Sequence, residues 1–273
     1  MGYEIKTITA ETQQSFYDTF PGEKSFLQGA KFGNFREATG EKIIRWGIYE
    51  DDILVGTAQI QKIKTRIKTY LHIPHGPLLL PPPKRNNDEI ENETVADEDL
   101  LKFFLEAYIK LGKKEKCDLV RIAPLFPQNF AIFFQQSGYK PSAIHLANPE
   151  KTWVLNIEGT EDEILANMKK STRYEVRRGP KCGIEVIQGN TEKDLDIFWH
   201  LHTETVKRQG FVPFPRKHTE MEMQAYGLDC LIFSGKIEDD FLSSSVILYD
   251  ERAGYYHQGA SVYSKMPVSH ATL

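Results

Sequence analysis

The densest cluster of positive charge in this sequence lies between Met168 and Gly183. The run MKKSTRYEVRRGPKCG contains one acid, Glu175, and six cations: Lys169, Lys170, Arg173, Arg177, Arg178 and Lys181. The chain as a whole has a formal net charge of −4, so this is a local basic segment on a slightly acidic protein. Clusters of arginine and lysine bind phosphate groups, and the segment predicts a nucleotide, a diphosphate or an RNA backbone as ligand.

The spacing of these cations predicts that several share one side of a helix. Residues four apart on a helix differ in direction by roughly 40°, so Lys169, Arg173 and Arg177 are expected to stack, with Lys170 beside them. Bases at the end of a helix also complement its dipole, which accounts for one or two of the charges as a solvated face. Because like charges four residues apart repel, the whole cluster favours an anion site.

Length and composition restrict the class of protein. With 273 residues the chain is long enough for two domains. Its cysteines, Cys117, Cys182 and Cys230, form no CxxC pair, which fits a reducing cytosol and gives no zinc signature. No apolar run typical of a signal peptide or a membrane span is present. We therefore expect a cytoplasmic protein without a metal.

The elements around the basic segment can be predicted from capping and breaking residues. Thr160 and Glu163 form the T-x-x-E pattern of a capping box. We predict one helix from there to a stop at Gly179-Pro180. The segment before it, from Tyr139 onward, is predicted to return to strand and to end at 153–157.

Two distant segments of the chain resemble each other. The runs GIYEDDILVGTAQIQ and GKIEDDFLSSSVILY both place an acidic turn between two strands, and each is followed by a further extended segment. This predicts an α+β fold built from a duplicated unit rather than one large sheet. We place the two units at residues 1–157 and 158–273.

Six short motifs, in order, resemble the Fem family of peptidyltransferases. The basic run resembles the family pattern K-x-x-R-Y-x-I-[RK], and FLQGAKFGNFRE resembles its opening F-[LI]-Q-x-x-x-W-G-x-[FV]-K. The remaining matches are YLHIPHGPLL, FFQQSGYKPSA, TETVKRQGF and YYHQGAS. Each motif is weak alone, but together they cover nearly the whole chain.

The resemblance implies a fold and an activity. Fem proteins contain two tandem GNAT-like (acyl-CoA N-acyltransferase fold) subdomains. They are aminoacyltransferases that move an amino acid from aminoacyl-tRNA to the stem-peptide amine of a peptidoglycan precursor. The acceptor is lipid II or its UDP-linked form, which implies peripheral contact with the inner face of a bacterial membrane. Family members continue beyond the last motif, so the second subdomain is expected to be incomplete at its C-terminus.

The resemblance also implies which residues bind the precursor and its diphosphate. These are Arg36, Lys170, Arg173, Arg177, Tyr256 and Lys265. Several of these positions have a simpler interpretation. Arg36 is also typical of a surface charge, Tyr256 of a packed strand aromatic and Lys265 of a solvated loop.

The sequence contains no recognisable catalytic group. An amine attacks an aminoacyl ester readily once the two are held together, so either the base lies elsewhere in the chain or, as we prefer, none is needed and the tRNA leaving group takes the proton. The family often has an acid after its first central strand, and Ala123 occupies that position here. A CoA-binding Q/R-x-x-G-x-G/A turn is also absent, so we expect no cofactor and take aminoacyl-tRNA as the donor.

Two other functions stay open from the sequence. One is a GNAT-like N-acyltransferase that uses another activated donor on a small amine, and it would be favoured by release of CoA. The other is a non-catalytic RNA-binding module, which would bind uncharged tRNA with a steep salt dependence and transfer nothing.

Overall fold

The computed structural model describes residues 2–81, 98–125, 130–142 and 152–262. The chain divides into two compact units, Met1–Lys151 and Thr152–Leu273. Each unit contains its own β-sheet, in which most neighbouring strands are antiparallel.

The first unit consists of a mixed sheet with helices packed against it. Its elements are β1 Tyr3–Thr7, α1 Ala10–Thr19, α2 Ala30–Ala38, β2 Lys42–Glu50, β3 Ile53–Lys64, β4 Thr69–Pro74, β5 Leu78–Leu79, α3 Glu98–Lys114, β6 Leu119–Ala123 and α4 Phe130–Gln136. The strand order is β1-β2-β3-β4-β6, and β5 pairs with β3. All neighbours are antiparallel except β4 and β6, which run parallel.

The second unit begins with two helices and continues into a smaller sheet. Its elements are α5 Glu161–Asn167, α6 Lys170–Lys181, β7 Glu185–Gly189, α7 Glu192–Gln209, α8 Arg216–Tyr226, β8 Cys230–Ile237, β9 Asp240–Tyr249 and β10 Gly254–Ser261. The strand order is β7-β8-β9-β10, antiparallel throughout.

The two units repeat one topology. In the first, β1, α1, α2, β2, β3 and β4 follow one another, and in the second β7, α7, α8, β8, β9 and β10 follow in the same way. The four strands also lie in the same spatial order in both sheets. The predicted α+β duplication is therefore present in the backbone.

The acidic turns that suggested this repeat do close hairpins. Asp51 and Asp52 have positive φ angles of 46° and 66° between β2 and β3, and Glu238 has a φ of 53° between β8 and β9. A backbone in the left-handed region matches the twist of a tight hairpin, and aspartate, as at Asp51 and Asp52, adopts this conformation more readily than β-branched residues.

The core of the first unit forms between α3 and its sheet. Leu101, Phe104, Leu105 and Tyr108 are fully buried on one face of α3. The Trp46 ring meets the Phe104 ring edge-on, with centroids 6.1 Å apart. This apolar face has the i, i+3, i+4, i+7 spacing that directs a helix onto a sheet.

A buried glutamine network attaches the segment before α2 to β3. Gln59 Nε2 donates to the carbonyls of Leu27 and Gly29 at 2.9 and 3.2 Å. Gln28 Nε2 donates to the Pro74 carbonyl at 2.6 Å, and Gln28 Oε1 accepts the Gln59 backbone N–H at 2.9 Å. These contacts give hydrogen-bond partners to buried backbone groups, as burial requires.

The expected strand around 153–157 is not present. Residues 152–157 have no regular secondary structure, and neither do 139–142 within the described range. The segment TWVLNI has the β-branched and aromatic composition of a strand, but a strand also needs a paired neighbour. Composition alone therefore gave a wrong prediction.

Replacing Gln59 with leucine should destabilise the protein. The carbonyls of Leu27 and Gly29 would lose buried donors, so we expect a loss of about 2–3 kcal/mol in the free energy of unfolding. Chemical denaturation measures it. The matched control is Gln135→Leu on the exposed face of α4, expected within about 0.5 kcal/mol of the parent. Equal losses in the free energy of unfolding for Gln59→Leu and Gln135→Leu would show that the glutamine network does not stabilise the protein.

A second prediction concerns the stability of the protein in acid. Glu115 binds Lys42 and Lys62, and these lysines lower its pKa from an ordinary 4.5 to about 2. A carboxylate with a depressed folded pKa stabilises above its unfolded pKa and loses that contribution as the pH falls towards the folded value. Glu115→Gln should therefore cost about 1 kcal/mol at neutral pH.

The loss of unfolding free energy caused by Glu115→Gln should shrink between pH 4.5 and 2, because the Glu115 carboxyl of the parent becomes protonated there. Urea denaturation of both proteins across this range measures the difference. A difference that stays constant with pH would contradict the assignment.

Candidate functional site

The basic segment is carried by two helices instead of one. The capping box predicted at Thr160 is present, with Glu163 bonded back to the Thr160 backbone, and α5 begins there. It ends at Asn167, because Met168 and Lys169 are extended, with ψ angles of 153° and 145°. The prediction of one continuous helix is therefore wrong.

The guanidinium of Arg173 occupies the C-terminal end of α5. Its Nη1 donates to the carbonyls of Leu165, Ala166 and Met168 at 3.2, 2.8 and 3.4 Å. The last carbonyls of a helix have no partner within it and carry the negative end of its dipole. Arg173 therefore acts as a cap that stabilises the break, and it is half-buried against α5.

This contact changes which cations share a face. Lys169 precedes α6 as its N-cap, and Arg173 is turned towards α5, so the predicted stack of Lys169, Arg173 and Arg177 does not form. The exposed residues of α6 at i, i+4, i+7 and i+11 are instead Lys170, Tyr174, Arg177 and Lys181. We call these four residues the α6 stripe.

The cations of the α6 stripe are available to a ligand. Within the described part of the chain, none of Lys170, Arg177 and Lys181 has a carboxylate within 4.0 Å. The remaining cation of the helix, Arg178, lies over the Tyr174 ring at 5.9 Å from its centroid. The stripe is thus a row of positive charge that solvent can reach and that no carboxylate of the described residues neutralises.

The end of α6 also differs from the prediction. Pro180 lies inside the last turn, and Gly183, with a φ of 76°, is the residue that ends the helix. The Gly183 N–H bonds the Pro180 carbonyl at 3.1 Å, and the Ile184 N–H bonds the Gly179 carbonyl at 3.1 Å. This is the Schellman arrangement, and it requires a left-handed residue at Gly183.

Arg36 lies in the first unit, near the end of α2. Its Nε donates to Glu41 Oε2 at 3.0 Å and its Nη2 to Glu41 Oε1, and the guanidinium lies beside the rings of Phe32 and Phe35. An ion pair of this geometry fixes the orientation of the side chain. Any anion bound by Arg36 must share it with Glu41.

Tyr256 lies on β10 of the second unit and is 58% exposed. The pairing of β10 with β9 shifts register between Tyr256 and Gln258, which leaves His257 at a bulge. Lys265, the remaining predicted residue, lies outside the described residues.

A buried carboxylate on α8 faces this bulge, and no sequence motif pointed to it. Glu222 is 1% exposed, and its Oε1 lies 3.0 Å from His257 Nε2. Its Oε2 accepts from Gln258 Nε2 at 3.1 Å. The cluster connects α8 to β10 next to Tyr256, and only the folded arrangement brings residues so distant in sequence together.

The described side chains contain no group of three His, Cys, Asp or Glu residues that could hold a metal ion. No helix in the described ranges has the length and hydropathy needed to cross a bilayer.

The segment that contains α6 matches a known family model. Residues 132–227 match the model of the FemAB family. The predicted Fem resemblance is confirmed. The matched range runs from α4 to the first residue after α8, so it includes α5 and the whole α6 stripe.

Two curated relatives are transferases acting on peptidoglycan precursors. A lipid II:glycine glycyltransferase of Staphylococcus epidermidis is 24% identical over 221 residues, which is 77% of this chain and 49% of the relative. A UDP-N-acetylmuramoylpentapeptide-lysine N(6)-alanyltransferase of Weissella viridescens is 24% identical over 180 residues, 61% of this chain and 53% of the relative. The chain spans about half the length of the curated relatives it matches.

Solved structures agree with the tandem fold. The crystal structure of FemX aligns with a TM-score of 0.74 at 18% identity, covering 96% of this chain and 81% of FemX. A tandem GNAT protein from the clavulanic acid pathway aligns with a TM-score of 0.51 at 8% identity, covering 99% of this chain and 82% of that protein. The GNAT-like α+β fold predicted for this chain is confirmed.

Arg173 and Arg177, both on α6, should differ in what they stabilise. Arg173→Ala removes three charge-assisted contacts, two to carbonyls of α5 and one to its C-cap Met168, so we expect a loss of about 1–3 kcal/mol in the free energy of unfolding. Arg177→Ala, on the exposed stripe, should change it by less than about 0.5 kcal/mol. Chemical denaturation of both variants is the measurement, with limited proteolysis near Met168 as a local readout. If both variants unfold like the parent, the cap does not exist in solution.

Proposed function

We propose that this chain is an aminoacyltransferase of the Fem kind. It would move an amino acid from aminoacyl-tRNA to the stem-peptide amine of a peptidoglycan precursor, lipid II or UDP-MurNAc-pentapeptide, and form an interpeptide-bridge amide. The observation that carries the proposal is the FemAB match over residues 132–227, which contains the exposed cations of α6.

The α6 stripe would hold the diphosphate of the precursor. Lys170, Arg177 and Lys181 present positive charge from one face over three turns of helix. Arginine can bind a phosphate through two parallel N–H groups, and lysine adds a mobile point charge. Because none of the three is paired with a described carboxylate, an incoming diphosphate displaces water rather than an acid.

The proposed transfer needs little chemical assistance from the protein. The acceptor amine in its neutral form attacks the ester carbonyl of the aminoacyl-tRNA, the new C–N bond forms, and the C–O bond to the ribose breaks. The proton lost by the nitrogen is taken up by the departing ribose oxygen, which leaves as a hydroxyl group. Holding the two reactants together supplies most of the acceleration of such a reaction.

The other predicted contacts stay part of the proposal. Arg36 would contribute while bound to Glu41, which holds its guanidinium in one orientation. Tyr256 offers an exposed ring on β10, and Lys170 and Arg177 offer charge on α6. Arg173 would act by shaping α5 and α6, because its guanidinium already bonds three carbonyls. Acting on lipid II would place the chain at the inner face of the membrane.

The proposal predicts that the double variant Lys170→Ala/Arg177→Ala binds UDP-MurNAc-pentapeptide at least about tenfold more weakly than the parent, since each cation removes a charge-assisted contact to phosphate. Calorimetry at two salt concentrations measures this. A pool of charged tRNAs with the same acceptor, read by mass spectrometry, measures transfer. The matched control is Lys193→Ala, an exposed lysine on α7, which should bind like the parent.

Three outcomes would contradict the proposal. Equal binding of UDP-MurNAc-pentapeptide by the double variant and the parent would show that the α6 stripe does not bind the diphosphate. Release of free CoA during turnover would indicate a different donor. Binding of uncharged tRNA with steep salt dependence and no transfer would indicate an RNA-binding module.

A further inference from the structure

The second unit carries exposed apolar side chains beside its exposed cations. In the segment 152–157, Trp153 and Val154 are each 81% exposed and Ile157 is 66% exposed. Single exposed apolar residues are ordinary on a protein surface, whereas three within five positions concentrate apolar surface in one short segment, which we call the apolar patch.

A direct contact connects this patch to α6. Lys169 Nζ lies over the Trp153 ring, 5.9 Å from its centroid. Lys169 is the N-cap of α6, so the apolar segment lies beside the beginning of the α6 stripe. Both features belong to residues 152–181 of the second unit.

We propose that this combined surface, Trp153, Val154 and Ile157 with Lys169 and the α6 stripe, docks directly on an anionic phospholipid bilayer. Interfacial attachment takes this form: tryptophan and aliphatic side chains enter the headgroup boundary while lysine and arginine meet the lipid phosphates. Tyr174 on the stripe suits the same boundary, because its ring is apolar and its hydroxyl is polar.

The composition of the surface distinguishes a bilayer from two other occupants. Val154 and Ile157 cannot stack on bases, whereas single-stranded nucleic acid is held by aromatic platforms. A second copy of the chain, docked face to face about a two-fold axis, would place Lys170, Arg177 and Lys181 of both copies in one interface, where like charges repel. Only an anionic partner matches the charge while covering the apolar residues.

The inference reaches beyond the proposed transfer reaction. A lipid-linked acceptor would bring the chain to a membrane through the acceptor alone, whereas docking of this surface needs no acceptor. The two can therefore fail separately, because vesicle binding is measured without tRNA or muropeptide.

The test is co-sedimentation of the 273-residue chain with vesicles of phosphatidylcholine alone, or of equal parts phosphatidylglycerol and phosphatidylcholine. The parent should partition at least about tenfold more strongly onto the anionic vesicles. The triple variant Lys170→Gln/Arg177→Gln/Lys181→Gln should lose about a hundredfold, roughly fivefold for each cation. Added salt should weaken binding of the parent in the same direction.

The apolar half of the surface is tested by Trp153→Ser/Val154→Ser/Ile157→Ser, which should partition at least about tenfold less than the parent. It should bind UDP-MurNAc-pentapeptide as the parent does, which separates lipid docking from diphosphate binding. The matched control is Ile53→Ser/Ile67→Ser, two exposed isoleucines of the first unit, which should partition like the parent.

A third measurement tests the docking of Trp153 without relying on the serine variant, which could misfold. Brominated lipids should quench the tryptophan fluorescence of the parent, and Trp153→Phe should bind the vesicles while losing most of that quenching. The inference is overturned if the parent does not partition onto anionic vesicles, or if the serine variant partitions equally. It is also overturned if Trp153→Phe is quenched like the parent, if the chain is a dimer that the serine variant dissociates, or if tRNA binding requires Trp153.

Discussion

The contact between Arg173 and the end of α5 determines the arrangement of the basic segment. Three carbonyls that would otherwise continue a helix, or face water, accept from one guanidinium. With those groups satisfied, the backbone can extend at Met168 and Lys169 and begin a new helix at Lys170. The direction of α6, and so the composition of its exposed stripe, follows from this break.

The same contact separates two roles within one cluster of cations. Arg173 is committed to backbone carbonyls, where a positive charge at a helix C-terminus is stabilising. Lys170, Arg177 and Lys181 have no such commitment among the described residues, and they remain exposed at helical spacing. A cluster that looks uniform in sequence therefore contains a structural cation and a row of cations free to meet phosphate.

In the first unit, the opening motif FLQGAKFG has a packing explanation. Gln28 and Gln59 satisfy backbone groups of the segment before α2, and a Cβ at Gly33 would overlap the Gln59 side-chain oxygen. The motif thus encodes a buried polar junction between a short turn and β3. Such a network costs desolvation and is tolerated because its groups are paired.

The sequence by itself determined the elements whose signals are local. The capping box at Thr160 and both acidic hairpin turns follow from spacing within a few residues, and the duplicated α+β order follows from the resemblance of two such short segments. The family resemblance also came from the sequence, because it depends on short motifs in a fixed order. These features need no distant partner, so their patterns can be recognised before folding.

Only the tertiary structure decided features that depend on a partner elsewhere in the chain. The break at Met168 needs Arg173 to reach back to α5, and the segment 152–157 is not a strand because composition cannot supply a paired neighbour. The buried Glu222 was unforeseen, since α8 and β10 meet only in the fold. Whether a cation is exposed, where a helix ends and whether a segment pairs as a strand each depend on the partner that forms its hydrogen bonds. Three-dimensional packing decides which partner that is.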